Sequence, residues 1–313
     1  MNQCQVLIVH YSQTDQLSRV LQSVASPLEA HSDCEVTYWN LQPLEPYPFP
    51  WPFIRFFDTF PETVHEKGCA LAPVPEEVMN KDYDLVILGY QVWFLSPSIP
   101  ITAFLQSEEA KRLLVGTPVV TVIACRDMWL SAQERVKAYL EHLKAPLVGN
   151  IALTDAAGSA LSFLATPFWL LTGHKGPFPL GIPKAGVADE DITSASRFGS
   201  ALLARLQSPQ SLDATVLEEL GAVKINVKLI ASETLAKRGF KLWGRVFLAC
   251  GPAGCRSRKI LVIFYSLFTL SLILTLVPLS ALFKKVFSPL MCHRDDALRT
   301  YYAAPSGEAR KFH

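Results

Sequence analysis

Charge is the first thing this chain has little of. Only 18% of its 313 residues are charged, and 29 basic against 28 acidic side chains leave a formal net charge of +1. That balance offers no field for a polyanion, so nucleic acid is not expected as a partner. A cysteine framework is also missing. Seven cysteines stand at positions 4, 34, 69, 125, 250, 255 and 292, and an odd count without framework spacing implies reduced thiols. Cys250 and Cys255 form one C-x4-C pair with no second pair nearby, so no metal is expected there. The N-terminus lacks a basic segment ahead of its first apolar run, which excludes a signal-peptide reading. Half of the residues are apolar, too many for a disordered chain.

What is present is an alternation of buried-strand and helix patterns. Val6–His10 is short, apolar and β-branched, and a turn follows it directly. Thr14 and Asp15 are placed to cap a helix carrying Leu17, Val20, Leu21 and Val24 on one face. Cys34–Asn40, Tyr83–Gly89, Pro118–Ala124 and Leu147–Leu153 read as further strands. Helices are expected at Ile101–Leu114, Ser131–Leu143 and Ile192–Leu206. This rhythm predicts an α/β fold, a flavodoxin-like five-stranded parallel sheet of order 2-1-3-4-5 over residues 1–207.

Two insertions break the rhythm. Residues 43–75 are rich in proline and aromatics, and residues 156–186 carry an apolar run too short to span a bilayer. Long loops of such composition read as pocket walls. Beyond the domain, residues 208–259 read as a basic juxtamembrane linker, 260–283 as a C-terminal hydrophobic, transmembrane helix, and 284–313 as a tail. The 24 residues of 260–283 contain no charge, enough for about 36 Å of helix. No acidic residue stands between Glu233 and Asp295, while cations gather before the apolar run. The expectation is a single pass, with the α/β domain on the cytoplasmic face of the inner membrane. A helix in the interface or a monotopic hairpin bending at Pro278 are the alternatives.

The chemistry-bearing residues lie at the expected strand ends. Tyr11-Ser12-Gln13-Thr14-Asp15-Gln16-Leu17 leaves a strand and opens a helix, where hydroxyls, backbone N–H groups and the helix dipole converge on an anion. Ser12, Gln13, Thr14, Gln16 and Leu17 are the candidates there. In a 2-1-3-4-5 sheet this turn borders the crevice where flavin mononucleotide (FMN) sits. The loop Gly89–Pro100 resembles the one after the third strand of flavodoxins and quinone reductases, which wraps an isoalloxazine ring. That resemblance implies flavin contacts for Tyr90, Gln91, Val92, Trp93 and Phe94, and for Cys125, Arg126 and Asp127 of the next loop. The phosphate turn departs from the flavodoxin pattern, which has glycine where Asp15 stands and threonine where Leu17 stands.

Taken together, HYSQTDQLSRV, FPWPFIRFFDTFPETV, YDLVILGYQVWFLSPSIP, TPVVTVIACRDMWLSAQE, LVGNIALTD, FWLLTGHKG and GIPKAGVADEDI resemble a bacterial family labelled dialkylresorcinol condensing enzyme. The resemblance covers residues 4–207 and both insertions. It implies an FMN-dependent oxidoreductase that aromatises cyclohexanediones to dialkylresorcinols beside a ketosynthase. The resemblance implies a lipid-like small molecule and the ketosynthase and acyl carrier protein of the pathway as partners. The hydrophobic C-terminal helix, which lies outside the resemblance, adds the membrane, and a second copy of the chain is a further expected partner. Candidate bases are Asp58, His65 and His174, all on the insertions. The competing readings are an NAD(P)H:quinone oxidoreductase, a non-enzymatic electron carrier, and condensation through Cys125, the one cysteine at a strand end.

Overall fold

Five runs of β-branched residues and leucine assemble the sheet: β1 (Cys4–His10), β2 (Cys34–Asn40), β3 (Leu85–Tyr90), β4 (Val119–Cys125) and β5 (Leu147–Thr154). All neighbours are parallel, in the order β2-β1-β3-β4-β5, the flavodoxin-like order. β3 is buried along its whole length, as a strand covered on both faces must be, and this explains its unbroken apolar run. The computed structural model describes residues 3–155, 158–176, 178, 184–287 and 295–307.

Helices α1 (Gln16–Glu29), α2 (Phe53–Val64), α3 (Ile99–Leu105), α4 (Glu108–Leu114), α5 (Leu130–His142), α6 (Gly158–Thr172), α7 (Asp189–Ser194) and α8 (Ser196–Leu206) follow the strands or interrupt them. Leu7, Val9, Val86 and Leu88 face Ile101, Leu113 and Val136 of α3, α4 and α5. Val6, Ile8, Leu85 and Ile87 face Leu17, Leu21, Phe198 and Leu202 of α1 and α8. Gly199 lets α8 press on α1, because a Cβ there would stand 1.8 Å from the Val24 carbonyl oxygen. The single helix expected at Ile101–Leu114 is two, since Ser107 starts a new one by accepting the Ala110 N–H at 3.1 Å.

Three more helices follow: α9 (Val227–Ala249), α10 (Arg256–Phe287) and α11 (Asp295–Ala303). The stretch 208–259, expected as a linker, thus holds a 23-residue helix that packs on the α/β unit. Glu233 of α9 accepts the Ser131 N–H at 2.5 Å, and Lys237 Nζ donates to the Ser131 carbonyl at 2.8 Å. The first turns of α10 are docked as well, with Val262 and Tyr265 buried against Phe60 and Phe247.

A single-pass helix at 260–283 is not supported. Among the described residues no helix is long and apolar enough to cross a membrane. The uncharged run spends its first residues, Val262 and Tyr265, on the protein's own core. The side chains of 273–274 and 276–287 lie outside the described residues, as do 288–294 and 308–313 of the expected tail.

Candidate functional site

β1 ends at His10, and the chain turns into α1 through Asp15, whose φ of 55° is left-handed. Asp15 therefore adopts the backbone conformation that glycine takes most easily. That conformation explains why its side chain makes no capping hydrogen bond, contrary to the expectation that it would cap the helix. The carboxylate points to solvent instead, for Asp15 is exposed. Ser12 Oγ is buried and has no hydrogen-bond partner among the described residues.

The glutamines of the turn hold the insertions in place. Gln13 Nε2 donates to the Pro48 carbonyl at 2.7 Å, and Gln13 Oε1 accepts the Trp51 indole N–H at 2.9 Å. Gln16 Oε1 accepts the Val187 N–H at 3.0 Å. The two insertions also bond to each other, Trp51 N–H to the Leu170 carbonyl at 2.8 Å.

Past β3 the chain makes a two-residue hairpin, Val92–Trp93 against Ser96–Pro97. Its turn residues are Phe94 at φ 46° and Leu95 at φ 60°. Hairpins of this kind usually place Asn or Gly there, and bulky side chains at positive φ are strained. Gly89 lies inside β3, where a Cβ would meet Leu21 Cδ1 at 2.6 Å. It serves the packing of α1 rather than an approach to a ligand.

These loops meet in one cleft at the C-terminal edge of the sheet, of about 870 Å³ with its open mouth. Gln13, Thr14, Gln16 and Leu17 line it from the first loop, Gln91, Val92, Trp93 and Phe94 from the second, and Cys125 and Arg126 from the third. Both insertions supply the remaining wall through Trp51, Phe56, Thr59, Thr166, Trp169 and Leu170. Asp155, at the end of β5, accepts from Thr166 Oγ1 at 2.9 Å and also lines it. The aromatic content of the insertions marked them as walls, but no spacing singled out Trp51, Phe56, Trp169 or Asp155. The rings form a connected set: Trp93 lies edge-on to Tyr11, Tyr47 and Trp51 at 5.9, 5.0 and 5.6 Å.

Other expected residues fall away from the cleft. Tyr90 is fully buried and donates its hydroxyl to Gln133 Oε1 at 2.5 Å. Asp127 accepts from Asn226 Nδ2 at 2.9 Å. The three candidate bases are not brought together. Asp58 is buried in an ion pair with Arg258 at 2.7 Å. His65 Nε2 lies 3.1 Å from the Lys241 carbonyl, and His174 is exposed. None of the three lines the cleft.

Burial sets the electrostatics of the third loop. It lowers the Arg126 guanidinium to about 10, with Asp155 and Asp127 acting the other way. It pushes the Cys125 thiol well above its usual value, and Glu233 and Asp127 add to the shift. A thiol so placed is a poor nucleophile.

In architecture the chain is similar to a flavoprotein from Lactobacillus acidophilus NCFM in complex with FMN, at 16% identity and TM-score 0.38, over 48% of this chain and 93% of the other. It is similar to a flavodoxin from the domain Archaea at 9% identity and TM-score 0.38, over 65% and 99% of the two chains. Oxidised flavodoxin 1 from Bacillus cereus is similar at 12% identity and TM-score 0.36, over 64% and 97%. No family model and no curated protein matches the chain. At these scores the likeness carries no argument of its own, and the fold rests on the strand order and register.

Proposed function

We propose that the chain is an FMN-binding, flavodoxin-like oxidoreductase acting on an apolar ring compound. One observation carries the reading: the loops after β1, β3 and β4 converge on a cleft at the switch point of the sheet, roofed by aromatic side chains of both insertions. The phosphate end fits FMN. Ser12 Oγ is a buried hydroxyl without a partner among the described residues, at the N-terminus of a 14-residue helix, and Asp15 turns its carboxylate outward. The ring end fits as well, since Trp93 and Phe94 offer faces for stacking and the strained turn at Phe94–Leu95 fixes them. The backbone of 12–17 would hold the phosphate, and Gln91–Phe94 with Arg126 would border the isoalloxazine.

When bound, FMN supplies two-electron acceptor chemistry. The chain's own residues exclude water through Trp51, Phe56 and Trp169. They also place the Arg126 guanidinium, the one cation among the described residues of the wall, where negative charge on a substrate oxygen would develop.

The finer reading is aromatisation of a cyclohexanedione to a dialkylresorcinol. It would remove two electrons and two protons from the ring, which bound FMN would accept, with a quinone or dioxygen as the terminal oxidant. The family resemblance and the apolar walls support it. The roof disfavours a bare electron carrier, which needs an exposed flavin edge, and the raised Cys125 thiol disfavours condensation. The absorbance spectrum of purified protein, followed by FMN titration of the apoprotein, tests the proposal. Flavin bands and saturable fluorescence quenching are expected, and a colourless protein that does not bind added FMN overturns it. Rapid NAD(P)H oxidation with simple quinones would favour the quinone reductase instead.

A further inference from the structure

Helix α10 is apolar on two opposite faces, and only one is covered. Arg258, Val262 and Tyr265 recur at helical spacing and are buried against α2 and α9. On the opposite side Ile260, Ile263, Phe264, Leu267 and Leu270 form a second stripe. Ile260 is 71% exposed and Leu267 64%. A helix apolar all round is stable only when both faces are covered by something other than water.

Two further observations say what covers it. The first is charge. Arg256 and Lys259 stand at the start of the stripe, and Arg238, Lys241 and Arg245 occupy the exposed side of α9 beside Leu242 and Val246. None of these five cations is paired with a carboxylate among the described residues. Aromatic rings lie among them, with Trp243 meeting Phe264 at 6.1 Å and Phe268 at 5.2 Å. Cations, aromatics and leucines interleaved on one surface are the composition of a helix seated in an anionic bilayer interface.

The second observation is the path of the chain. Beyond α10 it is again on the α/β unit. Tyr301 donates to Glu134 Oε2 at 2.7 Å, and Ala303 is buried in the core. Ser306, fully buried, accepts the Asn150 N–H at 2.6 Å and donates to the Asn150 carbonyl at 2.8 Å. Both flanks of α10 are therefore fixed to the same body, so its apolar stripe must be served from one side of a membrane.

We infer that α9 and α10 form a monotopic seat on an anionic lipid surface, with the Ile260–Leu270 stripe entering the interface and Arg238, Lys241, Arg245, Arg256 and Lys259 meeting the headgroups. This seat adjoins the cleft: Tyr265 on the docked face packs at 5.1 Å on Phe60, which in turn meets the cleft residue Phe94 at 5.5 Å.

The test is flotation of the full chain with equimolar phosphatidylcholine–phosphatidylglycerol vesicles and with phosphatidylcholine vesicles. Binding is expected to the anionic vesicles and to weaken with salt. Arg256→Ala and Lys259→Ala should each reduce it about fivefold. Leu267→Asp with Leu270→Asp should reduce it about a hundredfold, with an unchanged circular dichroism spectrum and melting temperature because both positions are exposed. Three results overturn the inference: no flotation with either vesicle, flotation that survives the double aspartate variant, or a wild type that buries these leucines in a dimer and ignores lipid.

Discussion

Arg258 and Asp58 stand 200 positions apart in the chain and make a buried ion pair, Nε to Oδ1 at 2.7 Å. Arg258 is fully buried, and its other nitrogens donate to Glu62 Oε1 and Oε2 at 2.7 and 2.9 Å and to the Asp58 carbonyl. The pair clamps α10 onto the first insertion. Removing one partner of a buried pair strands the other charge, at a cost of about 3–5 kcal/mol. Arg258→Met should therefore lower the urea midpoint by that equivalent. Asp58→Asn should destabilise without changing the FMN affinity of the folded fraction, as fits a clamp. A selective loss of turnover at unchanged stability would return Asp58 to the list of bases.

Asp15 occupies a left-handed position at the turn from β1 into α1, the proposed phosphate site. Asp15→Gly relieves the Cβ and removes a negative charge near an incoming phosphate. FMN should bind at least about tenfold more tightly, which is about 1.4 kcal/mol, while stability shifts by less than about 1 kcal/mol. Asp15→Val, β-branched at positive φ, should cost stability and affinity together. Fluorescence titration and thermal melts separate the two effects.

How far the sequence carried depends on the range of the forces. β2 was legible to the residue at Cys34–Asn40, and the other strands to within two, because buried parallel strands are written as local apolar runs. The first-loop residues of the cleft followed from the turn after the first strand, and the second-loop residues from the resemblance of Gly89–Pro100 to a flavin-wrapping loop. Arg258 was not legible, since a lone arginine in a basic stretch reads as a solvated charge and its partners are far away in sequence. The same holds for Ser306, whose two bonds to Asn150 bring the chain back onto the sheet. Asp58, His65 and His174 looked like bases because they carry the right atoms on the right insertions. Only packing shows that they face elsewhere.

His10 ends β1, is 6% exposed, and has its imidazole lowered from 6.5 to about 4 by burial. The unfolded chain takes up a proton below about pH 6.5 that the folded chain refuses until about pH 4, so stability falls as pH falls through that window. The span corresponds to about 3 kcal/mol. His10→Gln should flatten the acid limb of a stability–pH profile between those limits. A profile whose slope there is unchanged would mean that another group drives acid unfolding.

Cys125 and Cys255 should differ in reactivity. Burial, Glu233 and Asp127 hold the Cys125 thiol well above its usual value, whereas its hydrogen bond with Ser257 Oγ lowers Cys255. The thiolate is the reactive form. Iodoacetamide at neutral pH should therefore modify Cys255 well before Cys125, as peptide mass mapping would show. Cys125→Ala should leave turnover within about threefold, and complete loss would reinstate a cysteine nucleophile.

Gln13 ties the phosphate turn to the aromatic roof, with one bond to Pro48 and one from Trp51. Its side chain is thus already committed to the insertion, so it acts on a bound flavin through the roof and not by direct contact. Gln13→Leu keeps the bulk but loses both bonds and leaves the Trp51 indole N–H and the Pro48 carbonyl unpaired, at a cost of about 1–3 kcal/mol each if they stay buried. The cheaper response is for residues 43–52 to lift off and hydrate. Limited proteolysis should then cut that segment first, and the apparent KM for an apolar substrate should rise more than the Kd for FMN. Gln13→Glu is the intermediate control for the roof: it keeps the acceptor for Trp51, loses the donor to Pro48 and adds a charge, so its protease sensitivity should fall between the wild type and Gln13→Leu. If both variants instead lose FMN in proportion and the segment stays resistant to protease, Gln13 is a phosphate ligand and the roof is held by the contacts of Trp51 with Leu170 and the neighbouring rings.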